Sequence, residues 1–155
     1  MDFLMSYTRL LYHIIFRTKY SEQAINNAHA DDLYRYIWGI IKNTKEILYR
    51  INGMPDHLHL FVQLPASMCV ADFVHDVKGS SSKWLMSNPL FPMFRGWASE
   101  YAAISYCERD REMIVNYIIK QREHHQTESF YNEITRIFNE NGLADKNAFF
   151  FRDPT

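Results

Sequence analysis

Cysteine is scarce in this 155-residue chain, with only Cys69 and Cys107 present. Two such distant residues make neither a disulfide framework nor a zinc-ligand pattern, and they read as reduced thiols of a cytoplasmic protein. Glycine and proline number five each, which excludes collagen-like or linker-rich organisation. Excess charge is missing too. Against 18 Asp and Glu stand 17 Lys and Arg, a formal net charge of −1, so nucleic acid could be held only by a local basic patch. The longest apolar stretch near the start, residues 10–16, is broken by His13 and falls far short of the roughly 20 residues that span a bilayer. Residues 1–20 also lack the basic, apolar and small-residue succession of a secretory leader. These absences lead to the expectation of a soluble, cytoplasmic protein with no membrane partner.

The chain is 47% hydrophobic and 15% aromatic, enough to bury a core, and its length suits one domain over residues 1–155. Residues 8–17, rich in β-branched and aromatic side chains, predict a first strand. After a polar loop, Leu33, Ile37, Ile40, Ile41, Ile47 and Leu48 recur mostly at helical spacing behind Asp31 and Asp32. Residues 49–53 and 57–64, separated by Met54-Pro55-Asp56, predict a β-hairpin that Pro65 ends. A second helix spans Val70 to Trp84 with Ser67 as its expected cap, weakened in its middle by Gly79 and three serines. A fourth strand is expected over residues 101–107 and a helix over 108–125. A last helix, marked by Phe130, Ile134, Ile137 and Phe138, stops at Gly142. The order βαββαβ followed by C-terminal helices predicts an α+β, ferredoxin-like antiparallel sheet with two helices on one face. The second face is then left to meet solvent, a ligand or a partner.

Alternation along the third strand puts His57, His59, Phe61 and Gln63 on that second face, and Leu58, Leu60, Val62 and Leu64 on the helix-covered one. Two neutral imidazoles side by side can bind a divalent cation and leave coordination positions vacant. On the helix after the fourth strand, Tyr117, Gln121 and His124 fall at i, i+4 and i+7, with His125 at the edge of the stripe. A tyrosine hydroxyl is a nucleophile once its proton leaves and the attacked atom is polarised, and a glutamine amide oxygen is a donor that magnesium accepts.

The run Ile51-Asn52-Gly53-Met54-Pro55-Asp56-His57-Leu58-His59-Leu60 resembles the signature strand of the HUH endonuclease superfamily. Lys78-Gly79-Ser80-Ser81-Ser82-Lys83-Trp84 and residues 117–125 resemble its small single-tyrosine transposases, the transposase A type that moves compact insertion sequences as single-stranded DNA. The likeness extends from about Tyr12 to the Phe149–Phe151 tail. It departs before the fourth strand, where the family's Gly-Tyr pair is replaced by Ala98-Ser99-Glu100-Tyr101-Ala102. The resemblance implies a Mg²⁺ or Mn²⁺ ion on His57, His59 and Gln121, with Tyr117 as the nucleophile that forms a 5′-phosphotyrosine. It also implies single-stranded DNA hairpins at element ends as substrate, and a homodimer whose active sites are shared between subunits. Lys42, Lys45, Lys78, Lys83 and Arg95 are candidate phosphate contacts, and Trp84, Trp97 or Tyr20 candidate stacking platforms. Alternative readings are a domesticated relative that processes repetitive palindromes, a non-enzymatic ferredoxin-like nucleic-acid-binding dimer, and an inactive element copy.

Overall fold

The computed structural model describes residues 6–153; the first five residues of the segment read for a leader lie outside it. Four strands, β1 (Leu10–Thr18), β2 (Ile47–Met54), β3 (His57–Leu64) and β4 (Trp97–Tyr106), form one antiparallel sheet in the order β2-β3-β1-β4. This is the expected ferredoxin-like arrangement. Period-two alternation sends β1 and β3 into two different cores. Ile14, Phe16, Leu58, Leu60, Val62 and Leu64 face α1 (Ala30–Ile41) and α2 (Val70–Met86), meeting Leu33, Ile37, Phe73, Val74 and Val77. Each fully buried aliphatic side chain there contributes about 1.5–3 kcal/mol.

The opposite face is not left open. It is covered by α3 (Arg111–Ile119), α4 (Gln121–His124), α5 (Phe130–Glu140) and α6 (Asn147–Phe150). Ile15, Ala102 and Ile104 pack on Phe130, Ile134, Ile137, Phe138 and Phe150, while Leu11 and Phe61 pack on Ile114 and Ile118. Arg17, fully buried on this face, donates to the Phe150 and Arg152 carbonyls and to Asp153, tying the end of the described chain to β1.

Several boundaries differ from those the sequence suggests, each for a local reason. Ile47 and Leu48 belong to β2, since α1 ends at Ile41. The α2 cap is Cys69, whose Sγ accepts from the Asp72 N–H at 3.4 Å, and not Ser67. Gly79 and the serines do not shorten α2. Ser81 is buried, its hydroxyl donating to the Val77 carbonyl at 2.6 Å and accepting from Trp97 Nε1 at 3.0 Å. β4 begins at Trp97, which pairs with Thr18 beyond a register shift.

The largest difference lies in the helix expected over 108–125. A 3₁₀ turn at Glu108–Asp110 precedes α3, and Lys120 (φ −91°, ψ 16°) interrupts the helix before α4. The Asn52 amide on β2 donates to the Ile118 and Ile119 carbonyls at 3.0 and 3.2 Å, occupying acceptors that helix continuation would use. α5 stops as expected. Gly142 takes φ +74°, and the Leu143 N–H returns to the Phe138 carbonyl at 2.8 Å, a glycine-dependent helix terminus. No helix among the described residues is long and apolar enough to cross a membrane.

Candidate active site

The β2–β3 hairpin sets the first half of the site. A Cβ on Gly53 would collide with the His57 carbonyl oxygen, so only glycine lets the two strands approach here. Gly53→Ala is expected to cost about 1–3 kcal/mol by overpacking, read as a fall of several degrees in Tm, and to shift the strand that carries His57. An unchanged Tm would show that this approach is not needed. Beyond the turn, His57 and His59 point as alternation requires, and both are fully buried. His57 Nδ1 is 2.7 Å from Asp56 Oδ1. His59 Nδ1 is 2.8 Å from Nε2 of His13, a buried histidine on β1. Each outer nitrogen is thus occupied, which fixes the ring orientation and aims both Nε2 atoms at the C-terminal helices.

Those helices supply the second half. Gln121, the first residue of α4, turns its Oε1 to His57 Nε2 at 3.2 Å and donates through Nε2 to Glu133 Oε2 at 2.7 Å. Glu133, fully buried on α5, is the hub. Its Oε2 also accepts the Tyr117 hydroxyl, while its Oε1 lies 2.9 Å from His125 Nε2, 3.3 Å from His59 Nε2 and 3.6 Å from His57 Nε2. Arg136, one turn further along α5, donates to the Tyr117 oxygen at 2.8 Å and is itself held by Glu128. The Tyr117 ring stacks on His124 at 4.5 Å, so the stripe expected on one continuous helix survives the break at Lys120. Tyrosine, glutamine and both histidines come together within one chain.

Electrostatics follow from this packing. Burial opposes charge on His57, but the Asp56 and Glu133 carboxylates outweigh it and hold its pKa above the ordinary imidazole value. Burial keeps the pKa of His59 below that value, although Glu133 pulls upward; His13 is lowered by burial and by its neighbour His59. Burial would raise Glu133, yet the His59, His125 and His57 rings hold it far below the carboxylate range, so it is an anion. Burial and then Glu133 push the Tyr117 phenol well up, with Arg136 acting against them. Beside the phenol lies a cavity of about 170 Å³ lined by His13, Met113, Tyr117, Arg136 and Glu140. A larger cleft of about 410 Å³ opens next to Asp56, His125 and Glu128.

Residues 6–121 match the family described as "Transposase IS200 like". The chain belongs to the IS200-like, HUH single-tyrosine transposases. The ISDra2 transposase TnpA of Deinococcus radiodurans is 26% identical over 122 residues, 74% of this chain and 86% of that protein. A solved structure of a candidate transposase from the same species, at 27% identity, superposes with a TM-score of 0.59 over 78% of this chain and 97% of its own. A REP-associated tyrosine transposase bound to a REP hairpin shares the fold with a TM-score of 0.59, at 12% identity over 81% of this chain and 74% of its own. The IS200-like match ends at Gln121, so Glu133 and Arg136 lie beyond it.

Does this transposase's site suit the divalent cation that the family resemblance implies? His59 Nε2 is buried and has no hydrogen-bond partner among the described residues, despite its distance to Glu133. His57 Nε2 faces the Gln121 oxygen at 3.2 Å, and with Nδ1 held on Asp56 it is the nitrogen that would offer its lone pair to a cation once its proton is displaced. Imidazole nitrogen, amide oxygen and carboxylate oxygen together make a donor set for a borderline or hard divalent ion. The residues fit.

The basic candidates fare unequally. Lys42, Lys45 and Lys83 are exposed, with Lys42 lying over the Trp38 ring. Arg95 is exposed but paired with Glu22. Lys78 is committed elsewhere: its ammonium donates to the Ala98, Ser99 and Glu100 carbonyls at 2.7, 3.2 and 3.4 Å, stitching α2 to β4. Burial pulls its pKa down to about 8. The folded protein then releases this proton near pH 8, whereas the unfolded chain keeps it to about 10.4, so stability rises with pH across that window. Lys78→Met should remove that rise in urea-unfolding free energy and leave DNA affinity unchanged; a weakened DNA complex would return Lys78 to the phosphate contacts. Of the stacking candidates, Trp84 stacks on Tyr36 and Trp97 packs edge-on to Phe16, whereas Tyr20 is exposed.

Sequence reasoning missed His13, Asp56's hold on His57, Glu133 and Arg136. The available signals were polar residues on apolar stripes. His13 lies between Leu11 and Ile15 on one face of β1, and Glu133 lies one turn from both Phe130 and Ile137.

Proposed function

We propose that this chain cleaves and rejoins single-stranded DNA at the ends of an insertion sequence, with Tyr117 as nucleophile and His57, His59 and Gln121 as metal ligands. The observation that carries the reading is the buried carboxylate of Glu133, which joins the Tyr117 hydroxyl on one oxygen to the histidine Nε2 atoms on the other. A nucleophile and a metal-binding donor set are thereby held one side chain apart.

In the reaction the Tyr117 oxygen attacks the scissile phosphorus in line, and the bond from phosphorus to the 3′-oxygen breaks. The phenol proton leaves to solvent and the departing 3′-oxygen takes one up, giving a 5′-phosphotyrosine and a free 3′-OH. Arg136, on the tyrosine oxygen at 2.8 Å, favours the phenolate as that proton leaves. Asp56 and His13 hold the two imidazoles in ligand orientation. A Mg²⁺ or Mn²⁺ ion, when bound, neutralises charge on the scissile phosphate. Because the phosphotyrosine conserves the bond energy of the phosphodiester, a 3′-OH from another strand reverses the step and joins DNA. One nucleophile per chain and two cleavages per exchange call for a homodimer. The substrate is single-stranded DNA bearing a hairpin, in keeping with the REP hairpin carried by one relative of this fold.

The test incubates the protein with hairpin-bearing single-stranded DNA, with and without Mn²⁺, and resolves the products on a denaturing gel. A metal-dependent covalent adduct, mapped to Tyr117 by mass spectrometry, is expected. Retarded but never covalently joined DNA, across the flanking sequences of the gene, would mark a non-enzymatic binder instead.

A further inference from the structure

We infer that Glu133 is a further metal ligand of this site, binding the cation through Oε1 while its Oε2 positions the Tyr117 hydroxyl. The inference rests on the proposed metal-dependent reading and deepens it. Glu133 lies on α5, beyond the stretch that matches the family, so the match itself assigns it nothing.

The two carboxylate oxygens face different groups. Oε2 is fully engaged by the Tyr117 hydroxyl and Gln121 Nε2. Oε1 faces the Nε2 atoms of His125, His59 and His57 at 2.9, 3.3 and 3.6 Å, and Gln121 Oε1 is 3.2 Å from His57 Nε2. Atoms held about 2.1 Å from one cation lie about 3.0 Å apart in an octahedron and about 3.4 Å apart in a tetrahedron. The His57–Gln121, His59–Glu133 and His57–Glu133 separations of 3.2, 3.3 and 3.6 Å fall around those edges. The His59 contact is no hydrogen bond: among the described residues its Nε2 has no hydrogen-bond partner, as a metal ligand's lone pair would have none. The donor atoms of His57, His125 and Glu133 also lie within 4.8 Å of one another.

A carboxylate in this place has two consequences. It brings a negative charge to a set otherwise built from neutral imidazole and amide groups, which raises affinity for a hard cation such as Mg²⁺ or Mn²⁺. It also ties the nucleophile to the cation by one rigid side chain, so that occupancy of the metal site and placement of the Tyr117 oxygen are set together.

The experiment measures Mn²⁺ binding to the full chain without DNA, by the free-ion electron paramagnetic resonance signal, for wild type, Glu133→Gln, Glu133→Asp and His59→Ala. Glu133→Gln keeps the size and loses the charge, and should weaken Mn²⁺ at least tenfold; Glu133→Asp should recover part of that loss. If Glu133→Gln binds as tightly as wild type while His59→Ala does not, Glu133 is no ligand and the metal reading stands. If neither variant loses affinity, the histidine site itself fails, and Glu133 as its ligand fails with it. Should Glu133→Gln not fold, anomalous scattering from Mn²⁺-soaked wild-type crystals decides the matter. A peak within 2.5 Å of Oε1 is expected from ordinary ligand distances. A peak on the histidines with the carboxylate turned away overturns the inference.

Discussion

Tyr117→Phe leaves no covalent protein–DNA adduct on hairpin-bearing single-stranded DNA, while the hairpin still binds. The substitution removes one oxygen, the one proposed as nucleophile, so the expected loss is at the level of detection and at least about 10³-fold. Its structural cost is small. Glu133 Oε2 keeps its bond from Gln121 and Arg136 keeps its bonds to Glu128, so no buried charge is left without a partner. The ring keeps its stacking on His124 and its edge contacts with His13 and His59. Two hydrogen bonds to charged partners are lost, so a stability change of about 1–3 kcal/mol is expected alongside complete chemical loss. An adduct that persists in the variant would move the nucleophile to another tyrosine. Tyr106 would be tested before Tyr101, because Tyr106 packs on the C-terminal helices and Tyr101 on the opposite core.

The part of this site carried by β3 was legible in the sequence because a strand's side-chain direction depends only on residue parity. His57 and His59 had to share a face once Leu58 and Leu60 were assigned to the other, and the register with β1 and β2 bears this out. Helical spacing was a weaker guide. It grouped Tyr117 with Gln121 and His124 but gave no warning of the break at Lys120, which is imposed by Asn52 from a strand distant in sequence. The pairing of His13 with His59 is equally non-local, and a lone histidine in an apolar strand has no periodic signature. The second sheet face was foreseen as available and turned out to be filled by the chain's own α3 to α6, because nothing in the pattern of α5 says against which surface its apolar stripe will lie. Once α5 is docked, Glu133 is the polar residue that stripe delivers to the histidines.

His59→Ala should abolish cleavage without weakening the hairpin complex, the same outcome as at Tyr117 but by a different route. The alanine leaves Tyr117 in place with its bonds to Glu133 and Arg136. What it removes is the Nε2 atom that has no hydrogen-bond partner among the described residues, and with it a proposed ligand for the cation expected to neutralise the scissile phosphate. Such stabilisation is worth several kcal/mol, so a loss of about 10³-fold or more in cleavage rate is expected, together with weaker Mn²⁺ binding. Because His59 is fully buried and bonded to His13, part of any defect could come from the fold. His59→Asn separates the two effects. Its amide reproduces the Nδ1 position that bonds His13 and carries no atom at the Nε2 position, so the Tm should recover toward wild type while cleavage does not. Cleavage at the wild-type rate in a folded His59→Ala protein would remove the imidazole from the chemistry and leave its burial as its only role.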